Sequence, residues 1–237
     1  MSTIITKESV KRLISDIRYL NNNPLHSQGI YYKHDEENIL IGYALIIGPE
    51  DTPYENGFYL FQFDYPSDYP FSPPKLTYLT QDNVNNTRFN PNLYRNGKVC
   101  ISLLNTWRGE QWTSCQTISS VLLTLITIFN NKPLLNEPGI TENHYDFEKY
   151  SEIITYKNYE SAIYDIIENE YNNLKVDIFY DEICEIFKNN KSQIKKKIKL
   201  LKTKYPNKKF VETNIYNMKI NIDYNYIYKK LLKIKLK

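Results

Sequence analysis

Cysteine is scarce in this chain: 3 of 237 residues, set far apart at Cys100, Cys115 and Cys184. An odd, scattered set excludes a disulfide framework and fits a reducing compartment, so a cytoplasmic or nuclear location is expected. Histidine is equally thin, with His26, His34 and His144 only, and no Cys-x-x-Cys or His-x-x-x-His pair occurs. A zinc site is therefore not expected. Long apolar runs are missing too. None approaches the roughly 18–20 residues needed to cross a bilayer, and the first residues lack the apolar core of a signal peptide. Charge of one sign is missing where it might be looked for. Residues 1–187 hold 14 Lys and Arg against 25 Asp and Glu, whereas residues 188–237 hold 16 against 2. The overall net charge of +3 thus hides an acidic body of −11 and a basic tail of +14. An acidic body does not suit general binding to nucleic acid.

What is present suits one soluble, globular core with an extension. Hydrophobic residues make up 41% and charged residues 24%. Residues 4–20 read as an amphipathic helix, with Val10, Leu13, Ile14 and Ile17 at helical spacing and Pro24 beyond its end. Three runs rich in β-branched and aromatic residues follow, 29–33, 39–47 and 58–65, joined by turn-forming residues. A fourth covers 75–79. Short connections make them an antiparallel meander. Residues 81–115 form a connection too long to be idle. Residues 117–129 are apolar on nearly all sides and read as a buried central helix, with Thr117 or Ser114 as its cap. Further helices are expected over 147–171 and 177–201, and the fold class is α+β. Beyond them Ile220, Ile222, Tyr224, Tyr226 and Tyr228 alternate as a strand does.

The chemistry concentrates in Arg88-Phe89-Asn90-Pro91-Asn92, followed eight residues after Asn92 by Cys100. Around it stand Tyr69-Pro70-Phe71, Pro73-Pro74, Cys100-Ile101-Ser102-Leu103-Leu104, Trp107, Trp112 and Asn136-Glu137-Pro138-Gly139. In this order and spacing the chain resembles the ubiquitin-conjugating enzyme family over residues 4 to about 170. It is most similar to a subgroup of large members that read Phe-Asn-Pro-Asn where the family has His-Pro-Asn. These carry the insertion matched by Thr106-Trp107-Arg108-Gly109 and have a helical C-terminal extension. The resemblance implies a catalytic core over residues 1–172 and a helical, basic extension over 173–237.

The resemblance makes Cys100 the nucleophile that carries ubiquitin, or a related modifier, as a thioester. Taken alone, a single cysteine is more often a buried, inert one, the reading kept for Cys115 and Cys184. Gly97 adds a tight turn that could present the Cys100 thiol. Asn92 is expected to stabilise the oxyanion, or else to hold the loop through backbone bonds. Glu137 is expected to orient the incoming lysine and help remove its proton. Ser102 stands where many members carry an acidic residue. The resemblance assigns Lys7, Lys11 and Arg12 to docking on the activating enzyme and Phe71 to ligase contact. Thr113-Ser114-Cys115 stands where members that pair with RING-type ligases read Ser-Pro-Ala. Trp107 and Trp112 read as packing residues. No cofactor is implied for this chain, since ATP is consumed by the activating enzyme. Protein substrates and a ligase complete the implied partners.

Two rivals remain. One is a non-catalytic ubiquitin- or ligase-binding module of the same fold. The other is a cysteine hydrolase, for which the active segment supplies no histidine base. The basic tail reads as a solvated surface or as a segment folded on the acidic body. It could also bind an acidic protein or a membrane surface; nucleic-acid binding is not expected, as no recognised module is present. On this reading the tail is an appendage whose removal leaves charging of Cys100 intact.

Overall fold

Helix α1 (Lys7–Asn22) begins where Thr6, in extended conformation, accepts the Ser9 N–H at 3.0 Å. The computed structural model to which it belongs describes residues 5–168 and 175–236. The expected start at residue 4 lies outside the described residues, and the helix runs two residues further than the apolar pattern indicated. Its buried face is also rotated from that pattern: Ser9, Leu13, Asp16 and Leu20 are buried, while Ile14 is exposed. The cause is Asp16. Its carboxylate accepts the Tyr69 hydroxyl at 2.6 Å and the Arg12 Nε at 2.9 Å, so a charged group becomes a core contact with its hydrogen bonds satisfied.

Four antiparallel strands follow in the order of the sequence: β1 (Ile30–His34), β2 (Ile41–Ile47), β3 (Phe58–Asp64) and β4 (Lys75–Tyr78). The register pairs Tyr31 with Leu45 and Leu45 with Leu60, so these side chains share one face. Tyr59, Phe61 and Phe63 point to the other. There Phe129, just past helix α2 (Ile118–Thr127), packs on Tyr59 and Phe61 with ring centroids 4.7 and 6.4 Å apart. Of the two expected caps it is Thr117 that starts α2, in a reciprocal pair with Ser120. The fold is therefore α+β, with a helical layer on one side of the meander.

Helix α3 (Phe147–Lys157) does not continue unchanged to residue 171 as expected. It passes into a π-helical stretch, Asn158–Asp165, and residue 171 lies outside the described residues. The wider turn sets Asn158 facing the sheet, where its amide accepts from Tyr59 Oη at 2.6 Å and donates to the Glu55 carbonyl at 2.8 Å.

The remaining chain is helix α4 (Tyr180–Lys204), a hairpin of β5 (Lys209–Thr213) and β6 (Met218–Ile222), and helix α5 (Tyr224–Lys233). The expected strand alternation holds through Ile222 and then stops. Asp223 accepts the Tyr226 N–H at 2.9 Å and starts a helix that buries Tyr224, Ile227 and Leu231 at i, i+3 and i+7. This stretch is no free-standing appendage. The boundary expected at residue 172 lies outside the described residues, but the core runs across it, and Phe187, Ile198, Met218 and Leu231 join the same buried cluster as Leu45 and Phe129. This segment also lies against the second face of the sheet at β1. Lys33 on β1 donates to the Ile178 carbonyl at 2.8 Å and pairs with Glu182 at 2.6 Å, and Leu45 and Leu60 are 0% and 2% exposed. The opposite charges of body and tail meet in places, as at Lys197–Glu55 and Lys209–Glu152.

Ile198 is fully buried in α4. Ile198→Ala is expected to cost about 2–4 kcal/mol. Trp107 and Trp112 both lie before residue 113, so the loss should appear in a denaturant transition followed by tryptophan fluorescence. An unmoved transition would show that α4 unfolds on its own.

Candidate active site

The segment from Arg88 to Cys100 has no regular structure, so its backbone must be held by other means. Asn90 holds it. This fully buried side chain donates to Tyr54 Oη at 2.9 Å and to the Ile128 carbonyl at 2.8 Å. Its oxygen accepts the Asn92 N–H at 2.9 Å and the Asn136 amide at 3.2 Å. Two donors and two acceptors are the full capacity of an asparagine side chain, and all are used. Tyr54 in turn donates to the Phe89 carbonyl at 2.7 Å. The loop's other edge is stitched to β4 by a Thr77–Lys98 bridge and by the Tyr78 N–H on the Gly97 carbonyl at 2.8 Å. Gly97 has φ +84°, which favours glycine, and a Cβ there would press on the Tyr78 carbonyl oxygen at 3.1 Å.

This scaffold brings Asn92 and Cys100 into direct contact. The Cys100 N–H donates to the Asn92 carbonyl at 2.8 Å, and the Asn92 amide donates to the Cys100 carbonyl at 2.6 Å. One amide proton of Asn92 is engaged in this way and the second meets no partner among the described residues, so the side chain braces the loop and retains a donor. Beyond Cys100, Thr106 Oγ accepts the Ile101 N–H at 3.1 Å, and a short 3₁₀ turn, Ser102–Leu104, buries Leu103 and Leu104. Asn105 then accepts the Trp112 N–H at 2.8 Å and closes the lengthened rim. The turn at Gly97 forms as expected, but it does not present the thiol. Cys100 is 2% exposed, because its exchange with Asn92 and the Leu103–Leu104 turn draw it inward.

Glu137 follows a second 3₁₀ turn, Pro133–Asn136. Asn136 ties that turn to the loop through Asn90 and the Ile128 carbonyl, the latter at 3.0 Å. The half-buried Glu137 is thus linked to Asn92 through two intervening amides. Its Oε2 accepts a hydrogen bond from the Tyr216 hydroxyl. Burial and the adjacent Glu137 carboxylate push the Tyr216 phenol well above its ordinary pKa, so it remains the donor. Arg88 stacks under the Tyr216 ring at 4.4 Å and over Tyr94 at 3.7 Å, and donates to the Pro91 carbonyl at 2.5 Å. Sequence reasoning missed Tyr216, and it named Arg88 as part of the motif without giving it a role. The only signal for Tyr216 was turn chemistry, Asn214 and Asn217 between two alternating runs, which marks a hairpin without saying where its tip lands.

Among the partner residues, Lys7 and Lys11 are exposed on α1. Arg12 is committed inside the molecule, to Asp16, to the Ser114 carbonyl at 2.7 Å and to the Gln116 carbonyl. Phe71 stands 69% exposed on a loop that Trp112 pins by donating to the Pro70 carbonyl at 2.7 Å. Trp112 is itself buried, as a packing residue. Cys184 is buried, but Cys115, expected to be buried and inert, is exposed, because it lies in the irregular approach to α2. No group of three or more His, Cys, Asp or Glu side chains among the described residues is arranged to hold a metal ion.

Brief maleimide labelling of the native protein is expected to modify Cys115 before Cys100 and Cys184, as read by peptide mass mapping. A first label on Cys100 would show that the rim opens readily.

The geometry sits within a known sequence family. The family model described as ubiquitin-conjugating enzyme matches residues 12–162. Ubiquitin-conjugating enzyme E2 Z of Danio rerio is 39% identical over 167 residues, covering 70% of this chain and 50% of that protein. E2 Z of Homo sapiens is 41% identical over 161 residues, covering 67% and 45%. The human dual E2 ubiquitin-conjugating enzyme/E3 ubiquitin-protein ligase BIRC6 is 46% identical over 120 residues, 48% of this chain and 2% of that protein. The chain spans about half the length of the E2 Z relatives it matches.

Proposed function

The chain belongs to the ubiquitin-conjugating enzyme family, and on that premise we propose that Cys100 carries ubiquitin, or a ubiquitin-like modifier, as a thioester and passes it on. In the first step the Cys100 thiolate attacks the thioester carbonyl on the activating enzyme, whose own cysteine leaves as thiolate. ATP is used by that partner, and this chain needs no cofactor of its own. In the second step a substrate lysine amine attacks the Cys100 thioester and the sulfur leaves, or a ligase cysteine takes the modifier by thiol exchange. The carbonyl oxygen gains charge in the transition state, and the second amide proton of Asn92 is the donor available beside it. Glu137 receives the proton that the lysine sheds, through the carboxylate oxygen that Tyr216 does not occupy.

The observation that carries the reading is the mutual hydrogen bonding of Asn92 and Cys100. It fixes an amide donor against the backbone of the reacting residue before any substrate arrives. The use of Asn-Pro-Asn fits the same scheme, because Asn90 organises the loop without taking part in the chemistry. The exposed Lys7 and Lys11 are the contacts for the activating enzyme and Phe71 is the contact for a ligase. Arg12 contributes by holding α1 to the approach of α2.

Incubation with activating enzyme, ubiquitin and ATP is expected to give an adduct cleaved by thiol, and Cys100→Ser an ester that resists thiol. Asn92→Ala is expected to charge normally and to discharge to free lysine about 10²–10³-fold more slowly. If no adduct forms with any activating enzyme and modifier tried, the conjugating reading loses its main support. If Asn92→Ala loses charging and discharge together, Asn92 only holds the loop.

A further inference from the structure

The tip of the β5–β6 hairpin is held by the catalytic part of the chain at every one of its residues from Asn214 to Met218 except Asn217. Asp146 Oδ2, wholly buried at the start of α3, accepts the N–H groups of Asn214 and Ile215, both at 2.9 Å. Arg95 Nη2 donates to the Tyr216 carbonyl at 2.6 Å and to the Asn86 carbonyl at 2.6 Å. The Arg88 N–H points to Met218 Sδ at 3.4 Å, and the Tyr150 ring meets the Tyr216 ring edge-on at 5.9 Å. Tyr216 and Asn217 have φ of +59° and +48°, a left-handed backbone that side chains with a Cβ adopt at a cost. Strain of this kind persists where surroundings over-determine it, and here it turns the Tyr216 side chain toward the rim of the site.

We infer that the C-terminal extension completes the acceptor side of the active site, with Tyr216 as a positioning residue for Glu137. The inference rests on the reading of Glu137 as the acceptor-side carboxylate. An exposed glutamate has three rotatable side-chain bonds and no fixed direction. The Tyr216 hydroxyl holds Oε2, and Arg88, clamped between Tyr94 and Tyr216, holds the phenol ring in place. The other oxygen, Oε1, is then presented in one direction. The same Arg88 binds the Pro91 carbonyl within the Asn90–Asn92 stretch, so the arginine ties the position of Glu137 to the stretch that carries Asn92. The half-buried phenol, beside the Glu137 carboxylate, does not ionise at working pH and stays a donor throughout.

Tyr216→Phe removes the hydroxyl and keeps the ring, and with it the stacking on Arg88 and Tyr150. The full-length protein, charged with ubiquitin on Cys100, is then followed for discharge to free lysine over a range of lysine concentrations. Tyr216→Phe is expected to lower the limiting discharge rate about tenfold while half-saturation and the rate of charging stay unchanged. Glu137→Gln is expected to lower it at least as far, and adding Tyr216→Phe to Glu137→Gln should lower it no further. Discharge that is unchanged or faster in Tyr216→Phe, with Glu137→Gln slow, overturns the positioning role and leaves the carboxylate reading standing. Normal discharge by Glu137→Gln overturns the carboxylate reading and this inference with it. Independent, additive losses show that Tyr216 acts by another route, which also overturns it.

Discussion

The buried amide of Asn90 is the constraint on which the site depends. It sits where the loop from Arg88 to Cys100, the end of α2, the Tyr54 hydroxyl and the Asn136 side chain converge, and each of its four hydrogen-bonding valences serves a different one of them. A loop without regular secondary structure has backbone groups that must be satisfied individually. A single planar side chain that satisfies two donors and two acceptors does this while fixing their relative angles. Its full burial makes the arrangement costly to disturb, since each partner released would be left unsatisfied in a dry environment. The contact between Asn92 and Cys100 follows from it, because the Asn92 backbone is one of the groups that Asn90 grips.

The elements before residue 168 were legible where local chemistry decides them. The meander announced itself through alternating β-branched and aromatic runs, and α2 through apolar density and Thr117. What could not be read were effects of partners distant in sequence. The orientation of α1 turns on Asp16, a residue whose charge argues for the surface until Tyr69, 53 positions on, is known to meet it. The strand pattern of Ile220 and Ile222 ran on into Tyr224–Tyr228 because the tyrosines alternate by coincidence, and only the Asp223 cap divides the two. The π-helical stretch after α3 likewise follows from what Asn158 reaches across to, and not from its neighbours.

The site shows the same division. The family resemblance made Cys100, Asn92 and Glu137 candidates from short segments, and the structure sets Asn92 against Cys100 and ties the turn before Glu137 to Asn90. The depth of Cys100 was not readable, because it depends on how Leu103, Leu104 and Thr106 fold back. Nor was the meeting of Tyr216 with Glu137, which joins segments 79 residues apart. The charge asymmetry of the chain pointed to the right question and not to its answer. A few lysines of the tail pair with acidic residues of the body, but the attachment rests mainly on buried apolar side chains and on backbone groups that Asp146 and Arg95 engage.

Helix α4 lies between the body and the hairpin tip, and its 25 residues form one continuous element. A helix advances about 1.5 Å and turns about 100° for each residue. Its length therefore acts as a ruler. Inserting or deleting a single residue in it would swing everything that follows to a new azimuth, whereas the same change in the approach to β5 could be absorbed by the turn. A change in chain length is thus disruptive in α4 and harmless in the approach to β5.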